Sequence, residues 1–183
     1  TRRSSDLATR NEAGDTGGPT PRQRFDLTLE QPIDHADLSV GTFSQRAVLY
    51  VADAQAPMVF YTSGYHLGGY LSEPALLFGT NQIEIEHRFF GPSTPSPRDW
   101  TKLSIRQQAL DEHRWVRALR FMFPGGWINT GGSKGGKTAT FHRKLSPCDF
   151  DGTLAYVAPF TPQLADPRYE AFLNQVGGEA QAA

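Results

Sequence analysis

The stretch from Gly131 to Thr138 reads GGSKGGKT and satisfies two motifs with different chemistry. As G-x-S-x-G it predicts a nucleophile elbow, in which Ser133 stands on a tight turn between a strand and a helix. As G-x-x-x-x-G-K-T it matches a loop whose backbone amides bind nucleotide phosphates. The first pattern indicates a serine hydrolase and the second a nucleotide-binding protein, so the flanking elements must discriminate between them.

The elements around this stretch favour the nucleophile elbow. A phosphate-binding loop usually follows the first strand of its domain and needs a later apolar strand that ends in Asp to hold Mg²⁺. Here several apolar runs precede Gly131, and the later run GTLAYVAPF has Asp149 and Asp151 before it rather than at its end. Gly131 and Gly135 also suit an elbow, because they let strand and helix approach without Cβ clashes around Ser133.

The remaining apolar pattern predicts an α/β fold. Two segments, 24–30 and 43–52, predict an antiparallel pair of strands. Short, continuous apolar runs predict strands buried on both faces of a parallel sheet, at residues 57–64, 81–91, 126–132 and 152–159. Helices are predicted at residues 104–123 and 134–145, with a shorter one at 71–78. This alternation predicts an α/β-hydrolase-like, mostly parallel sheet with helices on both faces.

The charge and cysteine content exclude several classes of function. The 18 Lys and Arg residues nearly balance the 19 Asp and Glu residues, so a net charge of −1 gives no basis for binding nucleic acid or an anionic membrane. No apolar run approaches the roughly 20 residues of a membrane span. The single cysteine, Cys148, excludes an internal disulfide and a multi-cysteine metal site. We therefore expect no cofactor, metal, nucleic acid or membrane partner.

Long blocks of the sequence carry a specific resemblance. FDLTLEQPIDH, GTFSQRAVLY, MVFYTSGY, NQIEIEHRFFGPSTPSPRDW, WINTGGSKGGKTA and FDGTLAYVAPF occur in this order between Phe25 and Phe160. They resemble the secreted bacterial prolyl/tripeptidyl aminopeptidase family, which are serine exopeptidases of the α/β-hydrolase clan. The EHRFFGPS and GGSKGG blocks are also similar to the more distant prolylcarboxypeptidase and dipeptidyl-peptidase group. One position departs from the pattern: Lys137 stands where the family has an apolar residue such as Met, and it creates the match to a phosphate loop.

The resemblance implies a division of the chain and a location. Residues 1–23 are polar and interrupted by Gly and Pro, which predicts a mobile N-terminal arm. Residues 24–160 are then the N-terminal part of the catalytic domain, and residues 161–183 the start of an insertion or a tail. Thr1 opens the chain without an initiator Met, which fits a processed mature protein and an excised piece equally. The family is secreted, so an extracellular location is expected.

The resemblance also implies which groups act on the substrate. Ser133 would attack a peptide carbonyl and form an acyl-enzyme. The oxyanion would be held by the backbone N–H of Lys134 and by the loop after the third predicted strand, at Gly64 or Tyr65. The Lys134 side chain needs no role in this scheme. An ordinary glycine turn remains the alternative for the loop.

The base and acid that such a serine requires are not found among the residues of this chain. In this fold the order is Ser, then Asp or Glu, then His, on loops after later strands. Downstream of Ser133 the chain has one histidine, His142, which nine helical positions place about 13 Å away along the helix axis. His35, His66, His87 and His113 lie upstream and are interpreted as core or surface residues. The missing groups are expected after residue 160, in the remaining part of the same protein, so this chain alone is predicted to have little or no activity.

One acidic residue in the segment 81–91, Glu86, is a candidate for binding the substrate amine. Glu86 and Arg88 are two positions apart on a predicted strand and would share a face, with Glu84 beside them. One interpretation is a buried ion pair between Glu86 and Arg88. The other is that Glu86 binds the free α-amino group that an aminopeptidase must recognise.

Two other classes of function stay open at the level of sequence. One is a non-catalytic α/β-hydrolase-like piece or binding module, and the other, supported by Lys137 and Thr138 alone, is a nucleotide-binding protein. The strand predicted at 153–158 would form an exposed sheet edge in this chain, and such edges promote aggregation.

Overall fold

Seven strands form one mixed sheet in the computed structural model, which describes residues 7–12 (backbone only), 20–161, 163 and 165–177. The strands are β1 (Leu7–Glu12), β2 (Gln23–Pro32), β3 (Thr42–Val51), β4 (Met58–Thr62), β5 (Asn81–Ile85), β6 (Trp127–Gly132) and β7 (Gly152–Tyr156). Their spatial order is β1-β2-β3-β5-β4-β6-β7. Antiparallel pairs join β1 to β2, β2 to β3 and β3 to β5. The remaining strands β4, β6 and β7 run parallel to β5.

The edge strand β1 lies in the segment for which the sequence predicted a mobile arm. It pairs antiparallel with β2, from Leu7 opposite Leu29 to Glu12 opposite Arg24. The sequence analysis missed this strand because LATRNE lacks the regular alternation that indicates a half-buried strand. Residues 1–6 and 13–19 of the predicted arm lie outside the described residues.

Helices cover both faces of the sheet, as predicted. One face carries α2 (Ile105–Leu119) and α3 (Lys134–Leu145), which pack against each other, and the other carries the short α1 (Glu73–Phe78). Ser104 caps α2, because its hydroxyl accepts the N–H of Gln107. The bounds predicted for α3 agree with the structure, and those of α2 differ by a few residues at its C-terminal end.

Most of the hydrophobic core lies between the sheet and the α2 face. Trp115 and Leu119 of α2 are fully buried against the sheet residues Phe60, Ile83 and Ile85. Burial of side chains of this size stabilises the fold by about 1.5–3 kcal/mol each. A smaller cluster beneath α1, formed by Val48, Tyr50, Val59, Leu71 and Ala75, fills the opposite face.

Buried charged residues fasten α2 to its neighbours. The Arg88 guanidinium is fully buried and makes two bonds of 2.7 and 2.8 Å to the Asp111 carboxylate of α2, together with bonds to the carbonyls of Pro32 and Ile33. His35 approaches the same carboxylate at 2.7 Å. The sequence does not predict these pairs, because their partners lie on different elements.

The chain leaves β7 and continues into α4 (Pro167–Gly177). The apolar residues of α4, among them Tyr169, Phe172, Leu173 and Val176, are exposed. Residues 178–183 of the predicted insertion or tail lie outside the described residues. Within the described residues, the helices are all too short or too polar to cross a bilayer.

Candidate active site

The turn between β6 and α3 has the strained geometry of a nucleophile elbow. The strand ends at Gly132 and the helix begins at Lys134, so Ser133 alone makes the turn. Its φ of 52° and ψ of −119° lie in a region that residues other than glycine rarely occupy. The Ser133 N–H donates to the carbonyl of Tyr156 (2.9 Å), while its side chain is exposed and makes no capping bond to α3. The hydroxyl is therefore presented to solvent at the N-terminus of a helix.

Two glycines permit this turn by letting backbones touch. A Cβ on Gly135 would lie 2.1 Å from the carbonyl oxygen of Thr62 at the end of β4. A Cβ on Gly131 would lie 2.5 Å from the same oxygen and from the carbonyl carbon of Gly135. The predicted reason for these glycines, a close approach of strand and helix, agrees with the structure.

The phosphate-loop alternative does not fit this geometry. A phosphate-binding loop needs several residues between strand and helix whose amides surround the anion. Only Ser133 separates β6 from α3, and both Lys137 and Thr138 lie within the helix. The match to G-x-x-x-x-G-K-T is therefore accidental, as the sequence context indicated.

The loop predicted to supply the second oxyanion donor lies beside the elbow. Because β4 and β6 are parallel neighbours, the residues that follow them meet at the same edge of the sheet. Gly64 has φ +77°, and a Cβ on it would lie 2.8 Å from the nitrogen of Gly135. The Tyr65 N–H donates to the hydroxyl of Ser63 (3.0 Å). The Gly64 N–H is therefore the better candidate for the second donor.

The Lys134 side chain, for which sequence reasoning assigned no role, lies on this loop. Its Nζ donates to the Gly64 carbonyl and lies 4.9 and 5.1 Å from the ring centres of Tyr65 and Phe90. Burial lowers the pKa of Lys134 to about 8. Only the position of Lys134 directly after the nucleophile could have drawn attention to it in the sequence.

Glu86 lies at the carboxyl end of β5, but the predicted pairing with Arg88 is wrong. The strand ends at Ile85, so the two-residue alternation that placed both side chains on one face no longer applies. Arg88 pairs with Asp111 instead. The buried Glu86 carboxylate accepts the Ser93 hydroxyl at 2.6 Å and lies 3.8 Å from Nδ1 of the exposed His66.

Glu84 forms a second buried carboxylate near the same end of the sheet. Its two oxygens accept the N–H groups of Gly68 (2.5 Å) and Gly69 (2.9 Å). Burial raises the pKa of Glu84, and the nearby charge of Glu86 acts in the same direction. This part of the site can therefore attract a cation.

The histidines hold structural positions, in agreement with their interpretation. His142 is fully buried, with Nδ1 2.9 Å from Glu112 and Nε2 2.8 Å from Asp149, and His113 contacts the same Asp149 at 2.8 Å. Although burial lowers it, the pKa of His142 rises to about 9 because both carboxylates favour the imidazolium. His87 is buried with its Nδ1 on the Arg88 carbonyl, and burial lowers its pKa to about 4. Ser133 is a hydrogen-bond partner of none of these three rings.

Two cavities flank the elbow. One, of about 240 Å³, touches Gly132 and is walled by aromatic and polar residues, including Tyr61, Tyr70, Glu73 and Tyr156. The other, of about 340 Å³, is lined by Lys134 together with apolar residues such as Phe90, Leu103 and Phe141. The Ser133 turn therefore has a cavity on either side.

Comparison with known proteins identifies relatives of this arrangement. The family model of PS-10 peptidase S37 matches residues 16–182. A prolyl tri/tetrapeptidyl aminopeptidase of Streptomyces mobaraensis is 45% identical over 157 residues, covering 84% of this chain and 33% of that protein. The serine protease vicPa of Bipolaris victoriae is 29% identical over 145 residues, covering 65% of this chain and 27% of that protein. The chain thus spans about a third of the length of these relatives.

Solved structures of similar shape are α/β-hydrolases. Acetyl xylan esterase 1 of a Thermoanaerobacterium species superposes with a TM-score of 0.58 at 12% identity, over 96% of this chain and 58% of the esterase. A glucuronoyl esterase of Teredinibacter turnerae gives a TM-score of 0.56 at 14% identity, over 85% and 46% of the two chains. At this identity the likeness concerns the fold, which confirms the predicted α/β-hydrolase class.

Proposed function

Since this chain belongs to the PS-10 peptidase S37 family, we propose that it carries the nucleophile of a serine aminopeptidase that releases short peptides from free N-termini. The observation that carries the proposal is the conformation of Ser133, with φ of 52° on a one-residue turn between β6 and α3. Such strain is found where a side chain must be presented for a purpose, and no structural bond of the Ser133 side chain accounts for it.

The chemistry follows from the groups around the elbow. The Ser133 oxygen attacks the carbonyl carbon of the scissile peptide bond, and its proton passes to a general base. The carbonyl oxygen becomes an oxyanion that the N–H groups of Lys134 and Gly64 stabilise at the positive end of α3. Collapse of the intermediate breaks the C–N bond and releases the shortened polypeptide as an amine. Water then hydrolyses the ester and frees the N-terminal peptide.

The general base and its carboxylate partner are proposed to come from the part of the protein that follows this chain. His142 and His113 are committed to Asp149, and His87 to a backbone carbonyl. None of the three rings makes a hydrogen bond to the Ser133 hydroxyl, so none of them is placed to take its proton. We therefore expect residues 1–183 alone to have little activity.

The proposed substrate class rests on the name of the Streptomyces relative and on the carboxylate of Glu86. The Streptomyces relative is named a prolyl tri/tetrapeptidyl aminopeptidase, and we propose that this protein likewise releases short peptides, often containing proline. An aminopeptidase needs an anion at a fixed distance from the nucleophile to bind the substrate ammonium. Glu86 is the candidate: its charge is near that of Glu84, and one of its oxygens lies 3.8 Å from Nδ1 of the exposed His66. The resemblance to secreted enzymes further favours an extracellular site of action.

Labelling with a fluorophosphonate tests the nucleophile. The full-length protein should be labelled at Ser133, and Ser133→Ala should lose labelling and at least about a thousandfold in peptidase rate, since removal of a nucleophile leaves only residual catalysis. Ser44→Ala, at an exposed position of β3, is the matched control and should label as the unaltered protein does. Labelling of residues 1–183 should appear only after the remaining part of the protein is added. Undiminished activity in Ser133→Ala would refute the proposal.

Replacement of Glu86 by Gln tests amine binding. The variant keeps an acceptor for the Ser93 hydroxyl but loses the negative charge. KM for peptides with a free N-terminus should rise about tenfold or more, because a charged hydrogen bond contributes roughly 1.5–3 kcal/mol, whereas rates on blocked esters should not change. Equal losses on both kinds of substrate would show that Glu86 is structural.

A further inference from the structure

We propose that the Lys134 side chain is a positioning residue that clamps the Gly64–Tyr65 loop onto the first turn of α3 and thereby keeps the oxyanion hole formed. This inference rests on the proposed function and adds a role for a side chain that catalysis by the backbone N–H does not require. The observation behind it is the set of contacts that Nζ makes with the loop.

The Lys134 ammonium joins three parts of the site. It donates to the Gly64 carbonyl, and it lies over the rings of Tyr65 (4.9 Å) and Phe90 (5.1 Å). These two rings are themselves in edge contact, with centres 5.4 Å apart and planes at 84°. A cation over an aromatic face is attracted by the ring electrons, and more strongly where water is partly excluded. The contacts therefore tie β4's loop to the nucleophile helix.

The carbonyl that Lys134 holds controls the direction of a peptide plane. The Gly64 oxygen and the Tyr65 N–H belong to one planar unit, so fixing the oxygen fixes the whole unit. On the other side of this unit, the Tyr65 carbonyl accepts the His87 N–H at 2.9 Å. Gly64 has φ +77° and no side chain to resist rotation, so without Lys134 this plane could turn. The candidate donor, the Gly64 N–H, belongs to the preceding peptide unit, so rotation at Gly64 would also turn this N–H away from the developing oxyanion.

The charge around Lys134 comes from several elements. Within the described residues, no carboxylate oxygen lies within 4 Å of Nζ, so the lysine is not half of an ordinary ion pair. Glu112 of α2 favours the ammonium from a distance, and Lys137 lines the same cavity. Burial and the Lys134 charge lower the pKa of the neighbouring His87 to about 4, so this ring is neutral and the cations of the cavity are Lys134 and Lys137.

Variants of the full-length protein separate positioning from folding. We would measure hydrolysis of p-nitrophenyl acetate, which has no amine to titrate, for Lys134→Met, Lys134→Arg and the control Lys144→Met, at the exposed far end of α3. Lys134→Met should lower kcat about a hundredfold with KM within about threefold, the size of effect seen when one oxyanion donor is lost. Lys134→Arg should recover most of kcat, because a guanidinium can bind the same carbonyl and stack on the same rings. Lys144→Met should stay within about twofold.

The pH dependence of the rate of ester hydrolysis separates a role for the Lys134 charge from a purely structural role of this side chain. Because burial lowers the pKa of Lys134 to about 8, the rate of ester hydrolysis should decline as pH rises through that value, when the cation is lost. In Lys134→Arg this alkaline decline should shift upward by two pH units or more, since a guanidinium stays charged. If Lys134→Met does not fold, as judged by thermal unfolding, the Lys134→Arg profile alone decides.

Two results would overturn the inference, and they differ from failure of the proposed function. Unchanged kcat in a folded Lys134→Met, or an alkaline limb at the same pH in Lys134→Arg, would show that the lysine does not hold the loop. In either case Ser133→Ala would still abolish hydrolysis. If Ser133→Ala were fully active, the proposed nucleophile would be wrong and this inference would fall with it.

Discussion

The first turn of α3 meets its neighbours through backbone atoms, whereas its last turn meets them through buried charged side chains. At the first turn, Gly135 and Gly131 bring α3 and β6 against the Thr62 carbonyl, with no room for a methyl group. Near the last turn, His142 lies between the carboxylates of Glu112 and Asp149. The first turn is therefore held by close backbone contacts that leave no room for a side chain, and the last turn by ion pairs.

The difference determines how each end responds to change. A backbone contact has no rotamer through which to relax, so an added atom must move the helix, and the Ser133 turn moves with it. A network of ionisable groups can be weakened in steps, by substitution or by pH, while the backbone keeps its position. The predictions below test this contrast, beginning with the largest effect.

The largest loss of stability is expected from Gly135→Ala. Its Cβ would lie 2.1 Å from the Thr62 carbonyl oxygen, a separation that only displacement of α3 can relieve. We expect a fall of more than about 4 kcal/mol in the free energy of unfolding, measured with denaturant, or failure to fold. The control is Gly132→Ala, where no atom lies within 4 Å of the new Cβ, and it should change stability by less than about 1 kcal/mol. Equal effects in the two variants would contradict the close-approach argument.

The next largest loss is expected from His142→Leu. The leucine would leave the fully buried Glu112 without its imidazolium, and breaking a buried pair by removing one partner costs about 3–5 kcal/mol. His35→Leu is the matched control, because its partner Asp111 keeps two bonds from Arg88. It should lose less than half as much, by denaturant unfolding. If both variants lost the same, burial of the ring rather than its charge would explain the effect.

Titration of His142 gives a smaller, graded change. Its pKa of about 9 in the folded protein exceeds the ordinary value of 6.5, so its contribution is complete below pH 6.5 and is lost as pH rises towards 9. At about 1.4 kcal/mol per pKa unit, unfolding free energy should fall by roughly 3 kcal/mol across this window. His142→Gln should flatten the curve there. A wild-type curve already flat from pH 6.5 to 9 would show that His142 is not charged.

The same two kinds of contact differ in whether the sequence predicts them. The elbow, the glycines at 131 and 135 and the bounds of α3 were readable, because each depends on residues a few positions apart. The pairs of His142 with Glu112 and of Arg88 with Asp111 were not, since their partners lie 30 and 23 positions away on another element. The pairing predicted for Glu86 failed because a local rule was extended past the end of β5. The Lys134 contact was missed for the same reason as the ion pairs: Gly64 is 70 positions distant.

The smallest effect is expected from His113→Gln, at the solvent side of the charged network. The His113 side chain is a third exposed, and Asp149 retains its bond to His142 when His113 is removed. A glutamine amide can still donate to the carboxylate, so unfolding free energy at pH 7 should fall by less than about 1 kcal/mol. Although burial opposes it, the pKa of Asp149 is held low by both histidines, so the variant should lose stability earlier than the unaltered protein as pH falls through the acid range. A loss of unfolding free energy as large as that of His142→Leu would mean that the network acts as one unit. The contribution of each residue would then not depend on how exposed its side chain is.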